Sequence, residues 1–160
     1  MQRFFLLLAL GLLAIGGFSY WYFQPERVLI RKAEKLLSLA SVEGGQGVPA
    51  RAGKTLSFVN HLADEVIMSS SFPQLDRSFT SGELETLFKF YINSVRSASF
   101  EIDEASVTMN SSSSGRVRFY ATGTTDFGSG EEARDARGYL DFTKLDSGWK
   151  LSEALIEQAQ

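Results

Sequence analysis

The rhythm of apolar and polar residues changes three times along the chain, and each change marks a boundary. From Phe4 to Phe23 there is no polar beat at all: no charge and no carboxamide, closing on Ser19-Tyr20-Trp21-Tyr22-Phe23. At about 1.5 Å of rise per residue such a run spans a hydrocarbon core of about 30 Å, and aromatic rings favour the interfacial layer. The pattern predicts a transmembrane helix over residues 4–23. It is longer than the apolar core of a secretory signal and no Ala-x-Ala-like site precedes Gln24, which favours an uncleaved anchor over a removed signal. A buried helix of a soluble domain would carry a polar stripe, and this run has none.

After Pro25, which suits the first turn of a helix, the period becomes about 3.6. Leu29, Ala33, Leu36, Leu37 and Ala40 recur on one face while Arg31, Lys32, Glu34 and Lys35 fill the other, predicting a helix over about 26–42. Gly44, Gly45, Gly47 and Pro49 stop it and open a loop. Leu56, Val59, Leu62, Ala63 and Val66 predict a shorter helix from about residue 54 that passes into a strand near Glu65–Ser70, ended by Phe72-Pro73. Thr80 and Glu83 form a T-x-x-E capping box at the head of a third helix, with Leu84, Leu87, Phe88, Tyr91 and Val95 as its apolar stripe.

From Ser99 the period is 2, and turn residues divide the rest into four strands at about 99–110, 115–125, 133–145 and 149–157. Short connections make these neighbours antiparallel. Val117, Phe119 and Ala121 oppose Arg116, Arg118 and Tyr120, while Ala136, Gly138, Leu140 and Phe142 oppose Arg137, Tyr139 and Asp141. In the first of the four strands Phe100 and Ile102 are apolar at even positions but Ala105, Val107 and Met109 at odd ones. One buried face then requires an extra residue near Asp103-Glu104, a β-bulge that bends the sheet. The expected fold class is α+β: a membrane anchor over 1–24, then a domain over 25–160 of order α-α-β-α-β-β-β-β, whose curved antiparallel sheet carries the helices on its concave side as a cone.

Composition narrows the function. The chain of 160 residues has 16 Lys and Arg against 19 Asp and Glu, a net charge of −3, which gives no reason to expect a nucleic-acid partner. It has no cysteine and one histidine, which excludes thiolate catalysis, cysteine-ligated zinc and a multi-histidine metal site, and nothing calls for a cofactor. Arg27, Arg31, Lys32 and Lys35 follow the apolar run, so Lys and Arg alone vote for the carboxyl side inward, whereas very short amino-terminal tails of signal anchors usually stay inside. The expectation is a single-pass membrane protein that contacts lipid through residues 4–23 and displays an extracytoplasmic domain. The basic segment beside the anchor is a solvated helix face or rests on anionic lipid.

Over residues 27–157 this order of elements resembles the nuclear transport factor two-like superfamily, also called cystatin-like or SnoaL-like cones. Leu62-Ala63-Asp64-Glu65-Val66-Ile67-Met68 looks like the family's turn from second helix into first strand, and Gly148-Trp149-Lys150-Leu151-Ser152 through Ile156-Glu157 resembles its last strand. The resemblance implies a cone with an interior pocket. Family enzymes such as ketosteroid isomerase and scytalone dehydratase place Asp, Tyr or His inside it; here Ser69, Ser70 and Ser71 stand where an isomerase-like base is expected, and the first helix has no tyrosine. By architecture, an anchor followed by such a cone also looks like the inner-membrane assembly component of type IV secretion systems and like anchored proteins associated with mycobacterial import complexes.

Two classes of function follow. The leading one is a membrane-tethered, non-catalytic interaction or assembly module, its protein partner or second copy meeting Arg116, Arg118, Tyr120, Arg137 and Tyr139 on the exposed sheet face, because Arg and Tyr are enriched at interface hot spots. The alternative is a small-molecule-binding or lyase/isomerase-like cone whose pocket is lined by Phe58, Phe88, Tyr91, Phe119 and Trp149. His61 reads as a structural or solvated histidine rather than a general acid or base. Glu101, Asp103 and Glu104 read as a wet acidic cluster, since alternation sets Glu101 and Asp103 opposite Phe100 and Ile102. Asn110-Ser111-Ser112 fits a glycosylation pattern but reads as a polar hairpin tip.

Overall fold

A computed structural model describes residues 23–70 and 75–159. The anchor expected over 4–23 lies outside the described residues but for Phe23; among those described, no helix is long and apolar enough to cross a membrane. The elements in chain order are α1 (Pro25–Ala40), α2 (Val48–Val59), β1 (Leu62–Ser70), β2 (Arg77–Thr80), α3 (Ser81–Ser94), β3 (Ser97–Ser111), β4 (Ser114–Asp126), β5 (Glu131–Leu145) and β6 (Gly148–Gln158). The class is α+β, with one curved six-stranded sheet in the order β2-β1-β6-β5-β4-β3.

The sheet is mixed, where an antiparallel one was expected. All pairs are antiparallel except β1 with β6, which run parallel, Met68 opposite Ala154 and Ser70 opposite Ile156. Short hairpins dictate the order β3-β4-β5-β6, but β1 reaches β6 only after the helices have intervened, and no local signal encodes that pairing. The four-residue β2 adds an unforeseen antiparallel strand beside β1.

Helix boundaries follow their caps. The Thr80 hydroxyl accepts the Glu83 amide while the Glu83 carboxylate accepts the Thr80 amide, the reciprocal box read from T-x-x-E. That double contact, the backbone amide first and Arg77 second, holds the Glu83 carboxyl below its ordinary range. α2 begins at Val48, earlier than expected, because Pro49 sits in its first turn rather than breaking it. Its expected stripe is also rotated: Leu56 is exposed and Thr55 is buried. On α3 Leu87 is exposed and Ile92 takes the buried place.

The core lies between α1 and the concave face of the sheet, where Leu29, Ala33 and Leu36 pack with Val117, Phe119, Leu140, Phe142 and Leu151. A second cluster joins Leu39, Val42, Phe88, Ile92, Val95 and Ala98 at the α1–α3 end. The bulge falls where the parity break demanded: Ile102 pairs with Ala121 and Glu104 with Tyr120, leaving Asp103 extra. Glu101, Asp103 and Glu104 are all exposed. Between β4 and β5 the Asp126 carboxylate accepts the amides of Gly128 and Gly130, both at positive φ (100° and 121°), where a side chain would be strained.

Candidate ligand cavity

The concave side carries an open-mouthed cavity of about 280 Å³, with the exposed Ile156 at its rim. α1 gives it Leu36, Leu37 and Ala40, α2 gives Phe58, and the sheet supplies Met68, Phe100, Phe119, Ala121, Ala136, Leu140, Leu151, Ala154 and Ile156. Every lining side chain is apolar. Water inside would lack the two to four polar partners that hold a buried water in place. The volume lies just below the usual range for small-molecule sites, about 300–1,000 Å³.

The void exists because small residues occupy inward positions of three adjacent strands. Ala121 pairs with Ala136 across β4 and β5, and Ala154 pairs with Leu140 across β5 and β6. Inward alanines spread over three neighbouring strands of a bent sheet are the sequence signal for such a space, and aromatic residues alone do not reveal it.

The five aromatic candidates divide. Phe58 and Phe119 line the cavity. Phe88 does not; it stacks behind Phe58, ring centroids 4.1 Å apart and planes at 6°. Tyr91 also lies behind the wall, where its hydroxyl donates to the Ala40 carbonyl at 3.0 Å and burial pushes its pKa up to about 12. Trp149 is buried in the main core, outside the cavity lining, because it is the second residue of β6, opposite Lys144 and far along the strand from Ala154.

The five interaction candidates are brought together by the β4–β5 register, which sets Arg116 opposite Asp141, Arg118 opposite Tyr139 and Tyr120 opposite Arg137 on the convex face. Most of their polar groups answer one another. Arg116 makes a two-pronged ion pair with Asp141 at 2.7 and 2.6 Å and lies 3.7 Å over the Tyr139 ring. The Asp141 hydrogen bonds raise the Arg116 pKa further. The Tyr139 hydroxyl donates to Glu153 at 2.6 Å, the Tyr120 hydroxyl to Asp135 at 3.1 Å, and Arg137 reaches Glu157 at 3.5 Å. Those carboxylate contacts raise both tyrosine pKa values. Arg118 is exposed beside Glu104 and Ser106 at the bulge.

His61 is away from the cavity, in the turn between α2 and β1. Its Nδ1 lies 3.3 Å from the Lys32 Nζ. Desolvation first, then Lys32, Lys150 and Lys35, lowers its pKa. The Lys150 ammonium is held by the Asn60 carbonyl. Among the described residues no group of His, Asp and Glu is arranged to hold a metal ion.

This arrangement of sheet and helices recurs in solved structures. A protein from Xanthomonas campestris described as a calcium/calmodulin dependent protein kinase II association domain superposes with a TM-score of 0.64 at 12% identity, covering 83% of this chain and 86% of its own. One from Novosphingobium aromaticivorans described as a scytalone dehydratase gives 0.63 at 11%, covering 84% and 83%. One from Parabacteroides distasonis described as a ketosteroid isomerase gives 0.59 at 14%, covering 86% and 90%. The fold is the NTF2-like cone. Identity this low establishes the NTF2-like architecture alone. No family model and no curated protein matches the sequence.

Proposed function

We propose that this NTF2-like chain is a membrane-anchored binding protein that holds a small apolar molecule in its cone without transforming it. The supporting observation is the wholly apolar lining of the 280 Å³ cavity. General acid–base chemistry needs a titratable group within about 3 Å of the proton it moves. Here the Tyr91 phenol donates to a backbone carbonyl and stays neutral. The isomerase and dehydratase names attached to two neighbours fit a small-molecule site; the chemistry those names carry finds no counterpart among the lining residues.

Assembly through the convex face is the second reading, favoured by the exposure of Arg118 and Tyr120 and by the association domain among the neighbours. It ranks lower because Arg116, Tyr139 and Arg137 already spend their polar groups on Asp141, Glu153 and Glu157.

The test is solvent extraction and mass spectrometry of full-length protein purified from membranes. An apolar molecule should accompany the wild type and be lost from Ala136→Trp, whose indole would enter the cavity from a half-buried position. If the wild type yields no such molecule and binds naphthalene no better than Ala136→Trp does, the binding reading fails. Assembly takes its place if Arg118→Glu then abolishes self-association.

A further inference from the structure

We infer that one end of the domain, where α1 begins and the β3–β4 and β5–β6 hairpins turn, docks on an anionic phospholipid surface, with Lys32, His61 and Lys150 receiving a headgroup phosphate. This rests on the membrane attachment proposed above and is independent of what the cone binds.

The first observation is that the fold gathers cations from distant segments at that end. Leu29, in the second turn of α1, lies against the start of β4: a Cβ added at Gly115 would stand 2.5 Å from its Cδ1. The Lys144 amide donates to the Ser113 carbonyl at 2.8 Å, which sets the two hairpins side by side. The Leu151 amide donates to the His61 carbonyl at 2.8 Å, and the Lys32 ammonium reaches the Nδ1 of the same residue at 3.3 Å. Residues 23–35 and 144–150 hold six Lys and Arg against Glu26, Glu34 and Asp146, in a chain whose net charge is −3.

The second observation is that these groups are donors short of acceptors. Among the described residues no carboxylate pairs with Lys32, Lys35 or Lys150. An ammonium only donates, so the contact from Lys32 makes the His61 Nδ1 an acceptor and puts the ring proton on Nε2. Lys150 spends one N–H on the Asn60 carbonyl, which leaves it, like Lys32, two more. Ionised phosphate oxygens only accept, and they bind such donors strongly.

The third observation is reach. Gln24 alone separates Phe23, where the apolar run ends, from Pro25, where α1 begins, so the helix starts within about 7 Å of that run, inside a Debye length of about 8 Å. Gln24 has ψ 133°, a non-helical value that lets α1 take its own direction and lie along a surface. Leu145, at the turn of the β5–β6 hairpin, is exposed and offers an apolar side chain to the interfacial layer.

The chain has no cysteine and one histidine, so a single thiol label and the imidazole signals each report one place. Full-length Ser147→Cys carrying a fluorophore is reconstituted in vesicles of phosphatidylcholine, alone or with about 30% phosphatidylglycerol, that contain a lipid spin-labelled at its headgroup. Quenching should rise at least about twofold with phosphatidylglycerol and fall back in the double variant Lys32→Gln, Lys150→Gln, since each lysine near an anionic surface is worth about fivefold in occupancy. It should persist in Lys32→Arg, Lys150→Arg and in Lys89→Gln, whose lysine is exposed on α3 beside α2. Equal quenching in the two kinds of vesicle overturns the docking, as does a loss in Lys89→Gln as large as in the glutamine pair. So does inorganic phosphate that shifts the His61 imidazole signals in phosphatidylcholine vesicles as far as phosphatidylglycerol does, because the notch then serves a soluble anion. A chain that alkaline carbonate strips from both kinds of vesicle overturns the attachment and the docking together, whereas a retained chain with equal quenching leaves the attachment standing.

Discussion

Burial first, and then the charges of Lys32, Lys150 and Lys35, act on His61. The imidazole therefore resists protonation in the folded chain, so its folded pKa lies below the ordinary 6.5. Above 6.5 the ring is neutral in folded and unfolded chains alike and contributes nothing. Between the lowered folded value and about 6.5 the unfolded chain binds more protons, so stability falls as the pH drops through that window. Thermal unfolding at about pH 7.5 and about pH 5 should show this loss in the wild type and a smaller one in His61→Gln; equal losses would contradict it. His61 was legible in sequence as a structural histidine, but its cationic setting was not, since Lys150 comes from the far end of the chain. The Thr80–Glu83 box, by contrast, was fully legible because both partners lie within one turn.

At the scale of elements, the β5–β6 pair depends on Gly138. A Cβ placed there would stand 1.9 Å from the Leu155 carbonyl oxygen and 2.9 Å from its carbon, so any side chain forces the two backbones apart. Gly138→Ala should destabilise the fold by about 1–3 kcal/mol, read as a lower denaturant midpoint, with faster amide exchange at Leu155 and Ile156; unchanged exchange would refute the close approach. Alternation along β4 and β5 and the parity break at Asp103 revealed faces and bulge, because period 2 is a local property. β2 escaped notice because four residues carry too little pattern. The parallel β1–β6 pairing escaped because it is decided by packing between distant segments. The cavity was only half visible for the same reason: periodicity says which side chains point inward, not where inward side chains fail to meet.

For the whole molecule, the uncharged run from Phe4 to Phe23 makes a prediction independent of the cone. Membranes washed with alkaline carbonate should retain the full chain, and a chain beginning at Gln24 should be released. Isolation of a mature protein starting near Gln24 would refute the anchor. The bulge at Asp103 has a second consequence. β3 is a terminal strand of the sheet, fifteen residues long, and an unguarded strand of that length is a template on which a second chain can continue the sheet. Its first stretch is blocked by its own chain: Val42 bridges Ala98, and the Ser41 hydroxyl accepts the Phe100 amide at 3.0 Å. Past that point the kink interrupts the pleat, and Glu101, Asp103 and Glu104 would set like charges against one another if two copies met border to border. The acidic cluster that offered no catalytic site thus works against edge-to-edge pairing of two copies.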